Sequence, residues 1–134
     1  MMASELRVNT LKDAAGNNSI GMSYVAEGTA KAWNRFAGGS VPTLLDSLNN
    51  STATDNGTGD YTFAFTSSMG NANYAPECTG GRDPAAASVA ARVQNPDQIT
   101  TSNYVYNMFY VDSSGTSQFV DDGIGLSTVH GDLA

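Results

Sequence analysis

Residues Thr54 to Thr66 leave little freedom in how this chain can fold. Asp55-Asn56-Gly57-Thr58-Gly59-Asp60 is a polar turn with two glycines, and it runs straight into Tyr61-Thr62-Phe63-Ala64-Phe65-Thr66. Side chains of a β-strand switch faces at every residue, so Tyr61, Phe63 and Phe65 share one face while Thr62, Ala64 and Thr66 share the other. Glycine adopts positive φ at little cost, which lets the loop reverse the chain and pair this strand with residues near Ser51 to Thr54. A half-buried hairpin strand is therefore expected in the middle of the sequence.

From Thr29 onward the same grammar repeats. Strands are expected near Thr29 to Phe36, Leu44 to Asn49, Ser51 to Asp55, Tyr61 to Thr66, Tyr74 to Thr79, Ser88 to Val93, Ser102 to Val111, Thr116 to Val120 and Ile124 to Val129. Turn chemistry separates them at Gly38-Gly39, Asn56-Gly57, Gly70-Asn71, Gly80-Gly81, Asn95-Pro96-Asp97, Ser113-Ser114-Gly115 and Asp122-Gly123. Asp83 to Ser88 can be read instead as a helical turn, because Pro84 fits a first helical position. Many short strands at this spacing predict an all-β chain, an antiparallel β-sandwich of jelly-roll type. The low charged fraction of 14 %, with Thr, Ser, Asn and Gly at the polar positions, suits strands and turns better than helices.

Residues 1–28 differ. They hold a short extended run, Leu6 to Leu11, and a turn-rich stretch, Asp13 to Asn18, with too few large apolar residues for a core of their own. The expected organisation is an extended N-terminal docking arm over 1–28, with Leu6, Val8 and Leu11 as its anchors, and one β domain over 29–134. In that domain the longest strand carries Tyr104, Tyr106, Met108 and Tyr110 on one face and Val105, Phe109 and Val111 on the other. A strand apolar on both faces is covered on both, and a neighbouring subunit is the expected second cover for the Tyr104, Tyr106, Met108 and Tyr110 face.

Several chemistries are disfavoured by the same residues. All six basic residues lie before Val93 and five aspartates follow it, within a net charge of −7, so phosphate-backbone binding is not expected. No apolar run approaches the roughly 20 residues a membrane helix needs, so no membrane insertion is expected either. Cys78 is the only cysteine, which leaves no intrachain disulfide and reads as a passive thiol. His130 can be combined with serines and aspartates into a triad on paper, but no Gly-x-Ser-x-Gly elbow accompanies it, and no enzyme or cofactor is expected. Asp55 to Asp60 spaces its oxygens like a calcium loop, yet the twelfth position is Thr66 and not an acid; hairpin capping is the simpler reading, and no metal is expected. Asp112 with Asp121-Asp122 reads as a solvated acidic loop face. Lys31, Trp33 and Arg35 share one strand face, where the indole packs with the cations or meets a partner chain.

A family resemblance adds to this. Gly28-Thr29-Ala30-Lys31-Ala32-Trp33, Asp55-Asn56-Gly57-Thr58-Gly59-Asp60-Tyr61-Thr62-Phe63 and Ser67-Ser68-Met69-Gly70-Asn71-Ala72-Asn73-Tyr74 together resemble the small β domain of tail-fibre and appendage proteins of tailed bacteriophages. The likeness runs over roughly Leu6 to Tyr74. It implies a non-enzymatic virion component, made in a bacterial cytoplasm, commonly a homotrimer, that docks on other virion proteins and contacts the host surface. A capsid (head) decoration protein is the neighbouring alternative. A glycan-binding adhesin module is another, with Trp33, Tyr104 and Tyr106 as the aromatic platform for sugar rings.

Overall fold

The computed structural model describes residues 6–81, 98–121 and 123–134, together with the backbone of the strand at 89–93. An N-terminal hairpin, β1 (Thr10–Lys12) and β2 (Ser19–Gly21), leads into one short helix, α1 (Met22–Gly28). Nine strands follow: β3 (Ala30–Ala37), β4 (Thr43–Leu48), β5 (Asn50–Gly57), β6 (Asp60–Phe65), β7 (Ala75–Gly81), β8 (Val89–Val93), β9 (Asn103–Val111), β10 (Ser117–Phe119) and β11 (Ile124–His130). Each coincides with a strand expected from alternation and turn chemistry. The alternative helical turn at 83–88, the turn at 95–97 and Asp122 lie outside the described residues.

These strands form two antiparallel sheets. One runs β4-β3-β11-β7; in the other β5 pairs β6, β6 pairs β9, and β9 also pairs β8 and β10. Tyr106 and Asn107 are opposite residues of both β6 and β8, while Phe109 and Tyr110 are opposite residues of both β8 and β10. A strand has only two edges, so β6 and β10 follow one another along one edge of β9 and β8 takes the other. The 55–60 hairpin reverses through Gly57 (φ 139°) and Gly59 (φ 67°). A side chain at Gly59 would run into the Met108 carbonyl, which fixes a glycine where the hairpin turns against β9.

The inward faces of both sheets make one core. Residues of β6 alternate as the sequence requires, with Tyr61, Phe63 and Phe65 buried. Tyr104, Tyr106 and Met108 of β9 are fully buried beside them, and Ala32, Phe36 and Val129 close the core from the other sheet. Phe36 meets Tyr61, Phe63 and Tyr106 edge to face, with ring centroids 5.2, 4.8 and 5.1 Å apart. The space for its ring is the missing side chain of Gly125, directly opposite on β11.

This arrangement corrects the expected subunit interface. Tyr104, Tyr106 and Met108 face the second sheet of their own chain, so they are closed to a neighbour. Val105 and Asn107, on the opposite face of β9, are also buried within the single chain. Alternation shows that a face is covered and not by what, and here the chain supplies the cover. Tyr110 is half-buried, at the end of β9 opposite Gln118.

The arm is also more structured than an extended segment. Asp13 organises its turn by accepting the backbone N–H of Asn17 at 2.9 Å and the side-chain amide of Asn18 at 2.7 Å, and Gly16 turns at φ 72°. The helix ends where the N–H and hydroxyl of Thr29 both donate to the Val25 carbonyl, at 3.2 and 2.9 Å.

The packing yields a direct test by paired substitutions. Phe63→Ala removes a fully buried ring from the centre of the core and should cost about 3–5 kcal/mol in chemical denaturation. Thr62→Ala, half-buried on the outward face of the same strand, should cost less than about 1 kcal/mol. Equal losses would contradict the two-sheet core.

Candidate functional site

Two outward surfaces have features that the fold itself does not use. The first is the arm. Its strands β1 and β2 pair only with each other among the described residues, and α1 buries none of its side chains. Leu6 is 80 % and Tyr24 74 % exposed, and Val8, Leu11 and Ile20 are exposed as well. The expected anchors Leu6, Val8 and Leu11 thus all lie on the surface, joined there by Ile20 and Tyr24. The arm meets the sandwich where Nδ1 of His130 lies 3.1 Å from the carbonyl oxygen of Gly28. A carbonyl only accepts, so Nδ1 carries the proton in this contact. His130, the candidate member of a triad, thus has one ring nitrogen turned to the arm.

The second surface is the outer face of the β4-β3-β11-β7 sheet. Residues directly opposite in an antiparallel sheet share a face. One row across it reads Leu48, Trp33, Thr128, Glu77, and the next reads Asp46, Arg35, Leu126, Thr79. The burial of Ala32, Asn34 and Phe36 confirms that the intervening residues of β3, including Lys31, Trp33 and Arg35, point outward. Trp33 is half-buried, while Arg35, Leu48 and Leu126 are exposed. The Lys31 ammonium donates to the Thr29 hydroxyl at 2.6 Å. Among the described residues neither Trp33 nor Arg35 has a hydrogen-bond, ion-pair or ring partner, so the indole is not consumed by a cation within the sheet. Asp46, opposite Arg35, instead accepts the N–H of Ser47 at 2.9 Å. The row adjoins a shallow cleft of about 390 Å³ lined by Ala30, Lys31, Leu48, Thr66 and Leu133.

The remaining polar candidates are structural. Asp121 accepts the Gly59 N–H at 2.5 Å, and its carbonyl and carboxylate lie 3.2 and 3.3 Å from the Tyr61 hydroxyl. That hydroxyl also accepts the Gly39 N–H at 3.0 Å. Asp121 is thereby a half-buried knot between three loops, not a member of a solvated acidic face. Asp112 accepts the hydroxyl of Ser114 at 2.6 Å and the N–H of Thr116 at 2.9 Å, and these bonds, the Ser114 hydroxyl first, hold its carboxyl down at about 2. Asp55 accepts the Gly57 N–H at 2.9 Å, the hairpin cap expected of it. Among the described residues no three His, Cys, Asp or Glu side chains gather as metal ligands, and no described helix is long and apolar enough to cross a membrane.

The tyrosines of the expected sugar platform are absent from any surface. Tyr104 and Tyr106 lie in the core, where the Tyr104 hydroxyl bonds Ser127 and the Tyr106 hydroxyl donates to the Thr79 carbonyl at 2.6 Å. Of the three aromatic residues read as sugar contacts, Trp33 alone reaches the outside. No protein-family model matches the chain, and no curated protein or solved structure matches it either.

Cys78, opposite Ser127 on β7, packs against the core, and burial pushes its thiol up to about 12. At pH 8 an ordinary thiol near 8.5 is about one-quarter thiolate, whereas a thiol near 12 is about 10⁻⁴ thiolate. Ellman's reagent at pH 8 should therefore react with the folded chain at least about a hundredfold more slowly than with the urea-unfolded chain. Equal rates would place Cys78 at an open surface.

Proposed function

We propose that this chain is a non-enzymatic structural component of a bacteriophage virion, a short tail-fibre or appendage protein that docks through its N-terminal arm. The observation that carries the proposal is the arm itself. Leu11 and Ile20 of the hairpin and Tyr24 of the helix are exposed, with Leu6 exposed ahead of them, and the hairpin pairs with no strand of the sandwich among the described residues. Isolated exposed apolar residues are ordinary, but their concentration on one small appended element is the usual mark of a protein contact. The resemblance at Gly28 to Trp33, Asp55 to Phe63 and Ser67 to Tyr74 supplies the setting.

The homotrimer that the resemblance implies must be built differently from the sequence expectation. With Tyr104, Tyr106 and Met108 closed inside each chain, the arm is the proposed contact between subunits and with neighbouring virion proteins. Each sandwich then keeps its core within one chain.

Light scattering after size exclusion tests this. The intact chain at micromolar concentration should elute with the mass of a trimer, and Leu11→Asp with Tyr24→Asp should give a monomer whose melting temperature is within a few degrees of the parent's. A monodisperse monomer from the intact chain would refute the trimer. A reconstruction of a particle containing the chain should find the arm seated on a neighbouring protein.

A further inference from the structure

We infer that the outer face of the β4-β3-β11-β7 sheet is a binding platform for an acidic, uronate-bearing polysaccharide, centred on Trp33 and Arg35. This reading is independent of the arm and of the virion proposal. An indole offers a flat apolar face to the C–H side of a sugar ring and keeps an N–H for hydrogen bonding. Trp33 is half-buried on the outer sheet face, without a hydrogen-bond or ring partner among the described residues, with Leu48 exposed on its own row and Leu126 on the next.

Charge selects the kind of sugar. The chain carries a net −7, yet Lys31 and Arg35, the described cations of the sandwich, stand on either side of Trp33 along one strand face. Arg35 is the freer of the two, because Asp46 turns back onto Ser47 and leaves the guanidinium unpaired among the described residues. A guanidinium is shaped for two parallel bonds to a carboxylate. Lys31 and Arg35 are separated by about 13 Å of strand, which suits two carboxylates carried on the rings either side of the one over Trp33.

The same face disfavours a nucleic acid. Duplex DNA carries a charge every roughly 1.7 Å of axis, and Asp46 and Glu77 share the rows of Trp33 and Arg35. Asp46 and Glu77 repel a dense phosphate chain more strongly than the sparser charges of a uronate polymer, and they accept hydrogen bonds from its hydroxyls, as does Thr128 beside the indole. The cleft lined by Lys31, Leu48 and Leu133 extends the platform at the Lys31 end.

Trp33 is the only tryptophan, so its emission in the full chain reports on this surface alone. Titration with polygalacturonate, alginate and hyaluronan should give a saturable change in emission with at least one of them, and neutral dextran should give none. Arg35→Ala should weaken that binding about tenfold with an unchanged melting temperature, because the side chain is exposed and has no partner among the described residues. Silence with all three uronate polymers overturns the inference, as does equal binding of dextran or undiminished binding by Arg35→Ala. Tighter binding of oligothymidylate than of any uronate polymer would reassign the face to nucleic acid.

Discussion

The fold hangs on the meeting of Phe36 with three rings of the opposite sheet. Edge-to-face contact sets the positive rim of one ring against the negative face of another, and such pairs add about 0.5–1.5 kcal/mol beyond the area they bury. Phe36 makes three of them at once, with Tyr61, Phe63 and Tyr106. It can do so because β11 presents Gly125 at the opposite position and no side chain competes for the volume. Strand β3 is thus fixed face-on to β6 and β9, and its alternate residues are turned outward. Lys31, Trp33 and Arg35 reach the surface as a row because Ala32, Asn34 and Phe36 are held inside.

Polar contacts then set which part of one sheet meets which part of the other. The Asn34 side-chain amide donates to Asn50 and to the Tyr104 hydroxyl, both at 3.0 Å, and Tyr104 in turn bonds Ser127. These four residues come from β3, β5, β9 and β11, two from each sheet. Apolar surfaces slide at modest cost, but a buried amide that loses its partner is left with an unsatisfied dipole worth about 1–3 kcal/mol. Asp121 does comparable service at the sandwich end, where Gly59, Tyr61 and the turn at Gly38-Gly39 converge.

Much of this was legible in the sequence, for identifiable reasons. Alternation in Tyr61 to Thr66, and glycine-bearing turns between short apolar runs, report directly on strands because both are local. That Lys31, Trp33 and Arg35 share one face is legible by the same period of two, whereas which face looks outward is not. What surrounds a strand is not local. Tyr104, Tyr106 and Met108 look alike whether a neighbour or the chain's own β3 and β11 covers them, and only the sheet order decides. Helix α1 leaves no sequence signal, because Met22-Ser23-Tyr24-Val25-Ala26-Glu27-Gly28 is too short to show a helical period. Asp121 read as solvent-facing because its partners lie about sixty positions away, at Gly59 and Tyr61. The rows that bring Leu48 and Leu126 beside Trp33 and Arg35 depend on strand register, which alternation leaves open.

The tyrosine hydroxyls have a consequence for the solvents this molecule withstands. Tyr61, Tyr74, Tyr104 and Tyr106 keep their rings in the core and send their hydroxyls to Asp121, to the carbonyls of Thr100 and Asn103, to Ser127 and to the carbonyl of Thr79. Burial raises all four above the ordinary phenol, Tyr61 to about 12 and the others further. The folded chain therefore holds these protons after the unfolded chain has released them. Their contribution to stability is complete below pH 10, and that of Tyr61 drains away as the pH climbs from there through about 12. Cohesion made from phenols is indifferent to acid, since no phenol gains a charge there. Alkali therefore acts on this sandwich through its own core rings, and first at Tyr61, where a core of phenylalanines would feel nothing.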